Sequence, residues 1–167
     1  MEASEIITHL GLIPLRGEGG YYRETYRCGE MIQQGALPQR YGSEKSFCSA
    51  IYYLITSDSF SVIHRVHTDE IFHFYMGDPA VMLMLYPDGN GETVTLGSSV
   101  GEGHRPQCVV PRGTWQGLRV VDGGSWTLFG TTMAPAFDFS DFELGESTEL
   151  TEQYPGYADL VSRYTGR

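Results

Sequence analysis

Positive charge is scarce in this chain. A single lysine, Lys45, and ten arginines stand against 21 acidic residues, and the formal net charge is −10. Such a field repels polyanions, so neither nucleic acid nor an anionic membrane is expected as a partner. Long apolar runs are missing too: nothing approaches the roughly 20 residues of a membrane span. Met1-Glu2-Ala3-Ser4-Glu5 lacks the basic start of a secretory signal. A soluble, cytoplasmic protein is therefore expected. The three cysteines, Cys28, Cys48 and Cys108, are odd in number and include no CxxC pair. That pattern indicates neither a disulfide framework nor a zinc knuckle, and leaves buried free thiols in a reducing compartment as the expectation. There is no G-x-S-x-G elbow and no HExxH, so acyl and peptide hydrolysis have no machinery here. The glycine-rich stretches at 17–20 and 97–103 are not followed by Lys-Ser/Thr, which removes the P-loop and dinucleotide-binding readings.

What is present describes one globular domain over residues 1–167. Hydrophobic residues make up 41% and charged residues 19%, and a chain of this length buries about 70% of its extended surface. Ser4 is placed to cap a short helix over 5–10, with Gly11 as its stop. Strand-like runs then follow closely at 21–27, 47–55, 60–67, 70–76, 80–86, 92–96, 107–110, 114–121 and 125–133. The turns Asp88-Gly89-Asn90-Gly91 and Asp122-Gly123-Gly124 punctuate them. So many short strands without intervening helices predict an all-β closed barrel or jelly roll. The tail carries Phe137, Phe139 and Phe142, expected to pack on the barrel wall or a partner subunit, then an acidic stretch, then a helix over 157–164.

Three of the five histidines fall between His64 and Gly77, with Asp69 and Glu70 among them. Histidine and carboxylate titrate near neutrality or bind borderline metals, so this stretch marks the candidate site. Strict strand alternation puts Glu70, Phe72 and Phe74 on one face, and His73 with Tyr75 on the other.

The stretch resembles the first motif of the cupin superfamily, G-x5-H-x-H-x3,4-E-x6-G, with His64, Glu70 and Gly77 in place. Val66 stands at the second histidine and Asp58 at the leading glycine. Pro111 to Gln116 resembles the second motif, G-x5-P-x-G-x2-H-x3-N, with Pro111 and Gly113 in place. There Gln116 replaces the metal-binding histidine, Val120 the asparagine and Arg105 the leading glycine. Gly19 to Glu24, Asp69 to Asp78, Val110 to Trp115 and Ala134 to Glu143 are similar to an uncharacterised domain-of-unknown-function subgroup of single-domain cupins. The resemblance implies a double-stranded β-helix (jelly roll) related to the dTDP-sugar epimerases, with short N- and C-terminal helices. It also implies a homodimer that exchanges N-terminal strands.

Two of the four metal-ligand positions are thus lost, and a divalent metal is disfavoured as a cofactor, because a transition metal needs three or four protein ligands. If one were bound, His64, Glu70 and either His67 or His73 would hold it. In a barrel of this kind His64 is expected as general base with Glu70 as its orienting carboxylate. Arg65, Arg105, Arg112 and Arg119 lie in or beside the two motifs, and arginine forks suit phosphate. Together with His73, Tyr75, Trp115 and Gln116 they form the expected ligand-binding set. The functional expectation is a small phosphorylated ligand of nucleotide or nucleotide-sugar type bound in the barrel, as in an isomerase or epimerase. A metal-dependent cupin oxygenase or isomerase and a non-catalytic ligand sensor are the alternatives.

Overall fold

The computed structural model describes residues 1–165. Helix α1 (Ala3–Leu10) opens the chain, capped by Glu2 and not by Ser4. The Glu2 and Glu5 side chains each take the other's backbone N–H, which satisfies two orphan donors reciprocally. Gly11 closes the helix in the left-handed region at φ 62°.

The strands that follow are β1 (Ile13–Pro14), β2 (Tyr21–Arg27), β3 (Met31–Ile32), β4 (Lys45–Ser46), β5 (Ser49–Thr56), β6 (Ser61–Val66) and β7 (Glu70–Gly77). Then come β8 (Ala80–Leu85), β9 (Gly91–Leu96), β10 (Gln107–Val110), β11 (Trp115–Val120), β12 (Trp126–Met133) and β13 (Phe142–Leu144). Helices α2 (Ser147–Gln153) and α3 (Ala158–Tyr164) end the described chain. One sheet has the order β1-β2-β5-β12-β7-β10 and the other β13-β6-β11-β8-β9, while β3 and β4 pair by themselves. The two larger sheets face each other as a double-stranded β-helix, the jelly roll that the sequence predicts.

Between the sheets lies a core that includes Tyr53, Ile55, Phe72, Met82, Met84, Leu118 and Phe129. Burying an aliphatic or aromatic side chain of this size is worth about 1.5–3 kcal/mol. Phe72 and Phe74 both meet Phe129 edge-on with centroids 6.1 Å apart. A second cluster lies outside the five-stranded sheet, where Leu83, Leu85 and Trp115 pack beneath Leu150, Val161 and Tyr164 of the C-terminal helices. That is why β8 is apolar along its whole length: both of its faces are covered. Three tyrosines clasp the helices to the barrel, with Tyr154 donating to Tyr86 O, Tyr157 to Gly91 O and Tyr164 to Val81 O at 2.7–3.0 Å. On the opposite wall α1 packs Ile6 against Leu54 and Leu128.

Several short elements were not read from the sequence. The short strands β3 and β4 flank the stretch 33–42 that reads as loop and pair with each other, β13 joins β6 as an edge strand, and α2 occupies the acidic stretch after Gly145. The core fills one part of the interior, and the rest of it is lined by apolar and polar side chains together.

Candidate functional site

A cavity of about 460 Å³ opens in this unfilled part of the barrel, between β2, β5, β6, β7, β12 and the segment before β13. The inward positions of these strands are His64 and Val66 on β6, Glu70 on β7, Ser49 and Ile51 on β5, and Thr131 and Met133 on β12. Glu18, from the β1–β2 turn, and Phe137, Asp138 and Phe139 complete the wall. Its volume falls in the range that holds a small organic ligand.

His64 is 3% exposed and its ring is held at both sides. Nδ1 lies 2.8 Å from the Val62 carbonyl oxygen. A carbonyl only accepts, so Nδ1 carries the hydrogen and the neutral ring presents a lone pair on Nε2. Phe142 stacks on the imidazole with centroids 5.1 Å apart, and Glu18 Oε1 stands 3.9 Å from Nε2. The arrangement leaves an imidazole nitrogen and a carboxylate close together inside the cavity, the pairing that general-base chemistry uses.

Glu18 is a cavity-lining carboxylate that sequence reasoning missed. The Gly17-Glu18-Gly19-Gly20 run reads as a glycine-rich loop with no phosphate role, and its meaning is conformational. Gly19 adopts φ +99°, and a Cβ there would collide with the Phe60 carbonyl oxygen. The Glu18 carbonyl accepts from the Val62 N–H at 2.8 Å, and its carboxylate accepts from Ser61 Oγ at 3.0 Å. The tight turn thereby lays Glu18 against β6 beside His64. Tyr53 lines the same wall and donates to Gly19 O at 3.0 Å. Burial, with Glu18 nearby, holds its phenol well above the usual range.

Glu70 is buried, and that desolvation pushes its carboxyl pKa up. The positive pull of His64 and hydrogen bonds from Gln116 and Thr131 oppose the shift without cancelling it. Gln116 pairs with His64 across β11 and β6, so both side chains point inward. Its Nε2 donates to Glu70 Oε2 at 2.7 Å. The His64 imidazole and a carboxyl biased toward its protonated form thus belong to one cavity.

The structure does not gather the remaining predicted ligand residues there. His73 and Tyr75 are on the outer face of the six-stranded sheet, His73 beside Gln107 and Thr132 and Tyr75 edge-on to Tyr52. Strand alternation dictates this, since the inward positions of β7 are Glu70, Phe72 and Phe74. Arg65 and Trp115 are likewise outside, the guanidinium 4.4 Å above the indole and bonded to Glu143 at 2.8 Å. Arg119 lies over Phe60 and donates to Arg163 O. Arg105 and Arg112 are exposed, and the Arg112 backbone N–H caps Asp69. The cationic side chain that does line the cavity is Arg27, already engaged by Glu24 at 2.7 Å and by Phe137 O. His67 lies beyond the end of β6, with Nδ1 3.7 Å from Asp141 Oδ1.

A cupin metal would need donors from positions 64, 66, 70 and 116. Val66 supplies none, and Gln116 turns its N–H, not its oxygen, to Glu70. Among the described residues no group of three His, Cys, Asp or Glu side chains converges on a point that suits a metal ion. This donor set does not fit the metal that the fold is able to carry.

The family described as "Cupin superfamily (DUF985)" matches residues 4–145. An uncharacterized protein of Saccharomyces cerevisiae, YML079W, is 27% identical over 133 residues, 74% of this chain and 66% of that protein. The chain therefore spans slightly less than two thirds of that relative. A hypothetical protein from Leishmania major superposes over 100% of both chains with a TM-score of 0.90 and 27% identity. Protein SO0799 from Shewanella oneidensis covers 99% of this chain and 98% of its own, with a TM-score of 0.87 and 30% identity. The oxalate decarboxylase of Bacillus subtilis shares the fold alone, at 11% identity and a TM-score of 0.54 over 95% of this chain and 38% of that one. No helix of the described residues is long and apolar enough to cross a membrane.

Proposed function

The chain belongs to the DUF985 family of the cupin superfamily, and on that premise we propose that it binds a small hydroxylated ligand of sugar type in its barrel and moves a proton on it, as an isomerase or epimerase does. The observation that carries this reading is His64: its Nδ1–H is fixed on the Val62 carbonyl, and its Nε2 faces Glu18 inside the cavity. Glu70, whose carboxyl is biased toward the protonated form by burial, is the matching proton donor. The apolar and aromatic walls at Ile51, Tyr53, Val66 and Phe137 suit the flat faces of a sugar ring, and Ser49 and Thr131 offer hydroxyls to its polar edge.

The phosphorylated part of a nucleotide-sugar ligand fits only at the mouth. Glu18 makes the interior acidic, and the exposed Glu24 and Asp138 stand at the mouth with Arg27, the cation of the lining. A diphosphate inside would meet carboxylates. Metal-dependent oxygenase or isomerase chemistry is the weaker reading, because the donor set at 64, 66, 70 and 116 is incomplete.

The test is ligand binding followed by proton exchange. Titration calorimetry with free sugars and sugar nucleotides identifies a binder, and NMR in D2O follows deuterium entering its C–H positions. The expected result is exchange by the wild type that His64→Ala abolishes. Binding without exchange converts the protein into a sensor, and exchange undiminished in His64→Ala ends the catalytic reading.

We infer in addition that the chain forms a homodimer through the outer face of β7 and β10, where Tyr75 and Val109 are each 50% exposed. Sedimentation of the wild type against Tyr75→Lys tests it, with dissociation expected for the variant.

A further inference from the structure

The pairing of β2 with β5 ends at Arg27 and Ser49. The next residues outward are Cys28 and Cys48. The Cys28 N–H donates to the Cys48 carbonyl at 3.0 Å, so the antiparallel register continues through them and sets them directly opposite. Opposed residues in such a hydrogen-bonded pair have Cα atoms about 5.5 Å apart and side chains on one face. A disulfide requires Cα atoms about 4.4–6.8 Å apart. Both thiols are free and half-buried. Twenty positions separate the two cysteines in sequence, and only the register of the sheet makes them neighbours. Cys108 is different: it is 5% exposed in the barrel core and burial pushes its thiol up, the condition of an inert cysteine.

We propose that Cys28 and Cys48 form a reversible cross-strand disulfide, a redox-set staple at the base of the segment 29–47. Hydrogen peroxide is a sufficient oxidant. One thiolate attacks a peroxide oxygen, the O–O bond breaks, and a sulfenic acid and one water result. The second thiolate attacks that sulfur, the S–O bond breaks, the S–S bond forms and a second water leaves. Two thiol protons and two electrons pass to the peroxide. Glutathione disulfide accepts the same two electrons and leaves as two glutathione thiols. Partial exposure keeps the bond accessible to reductant, as in labile disulfides.

The position gives the staple a consequence at the cavity. Arg27, next to Cys28, lines the mouth. The stapled segment carries Lys45, whose ammonium is 2.8 Å from Asp141 and 3.6 Å from Asp138, and Asp138 lines the same mouth. Oxidation therefore ties one rim of the cavity to the other through the segment's base.

The experiment equilibrates the full chain in glutathione buffers from reducing to oxidising, quenches with a maleimide, and maps the peptides without reduction. The expected result is loss of two of the three thiols on oxidation, with a Cys28–Cys48 link inside one chain, two hydrogens lighter. Cys28→Ser is expected to retain both of its remaining thiols, and proteolysis within 29–47 is expected to slow several-fold on oxidation of the wild type. Three thiols at every poise, links that involve Cys108 or join two chains, or proteolysis unchanged in the oxidised protein would each overturn the proposal.

Discussion

Gln116 Nε2 donates to Glu70 Oε2 at 2.7 Å, a bond that runs from the five-stranded sheet to the six-stranded sheet inside the barrel. The two side chains are 1% and 8% exposed, and Gln116 Oε1 has no partner. An amide brings no full charge, so it offsets little of the cost of burying a carboxylate. That is why burial outweighs the hydrogen bonds and the Glu70 carboxyl is pushed up.

The upward shift fixes a sign for stability. A carboxyl whose folded pKa exceeds its unfolded one stabilises the fold below the unfolded value, about 4.3. That contribution is lost as pH rises through the folded value. Denaturant melts from pH 4 upward are expected to show the decline in the wild type and to lose it in Glu70→Gln, which keeps an acceptor for Gln116. A decline of equal size in the variant would assign it to another group.

His64 is expected in the Nδ1–H tautomer whenever it is neutral, because the Val62 carbonyl 2.8 Å away accepts and cannot donate. Nitrogen-15 NMR of the ring distinguishes the two nitrogens directly. A protonated Nε2 in the neutral ring would contradict the base assignment. Phe142→Ala removes the stacked partner at 5.1 Å and is expected to broaden the ring resonances while leaving the tautomer in place.

Lys45, the single lysine of the chain, is 2% exposed and faces Asp141 at 2.8 Å. Asp141 is itself 4% exposed, so removal of Lys45 leaves a buried carboxylate without its ammonium partner. Lys45→Met is expected to cost about 3–5 kcal/mol in chemical denaturation. Lys45→Met combined with Asp141→Leu is expected to regain most of that loss. A double variant no more stable than the single would mean that the cost arises from packing and not from the orphaned carboxylate.

The barrel was legible because its strands carry period-two patterns and its turns carry glycine and Asp/Asn at the bends. The alternation Glu70, Phe72, Phe74 placed the inward face of β7 correctly, and with it sent His73 and Tyr75 outward. Nearness in sequence misled for the arginines. Arg65 follows His64 directly yet belongs to the other face, where the C-terminal helices and Glu143 provide its surroundings. Glu18 was hidden because its value lies in a turn and not in a strand pattern. Only the positive φ of Gly19 and the bond to Val62 bring it across to His64. Lys45 and α2 were missed for a related reason, since tertiary contacts decide a short strand and a seven-residue helix more than local propensity does.

The two missing cupin ligands can be supplied. Val66 lines the cavity two residues beyond His64 on β6, and Gln116 pairs with His64 across the sheet. Histidines at both positions, with His64 and Glu70, complete a three-imidazole and one-carboxylate set of the kind that holds a divalent transition metal. The wild-type protein, expressed without an affinity tag and dialysed against Zn2+ or Mn2+, is expected to retain well under one ion per chain. V66H/Q116H is expected to retain about one, with metal-dependent thermal stabilisation that follows ligand mass action. The single variants V66H and Q116H should fall between them, because each adds one imidazole to an incomplete set. Stoichiometric metal in the wild type, measured by elemental analysis, would show that a donor outside positions 64, 66, 70 and 116 completes the site. It would then restore the metal-dependent reading of this barrel.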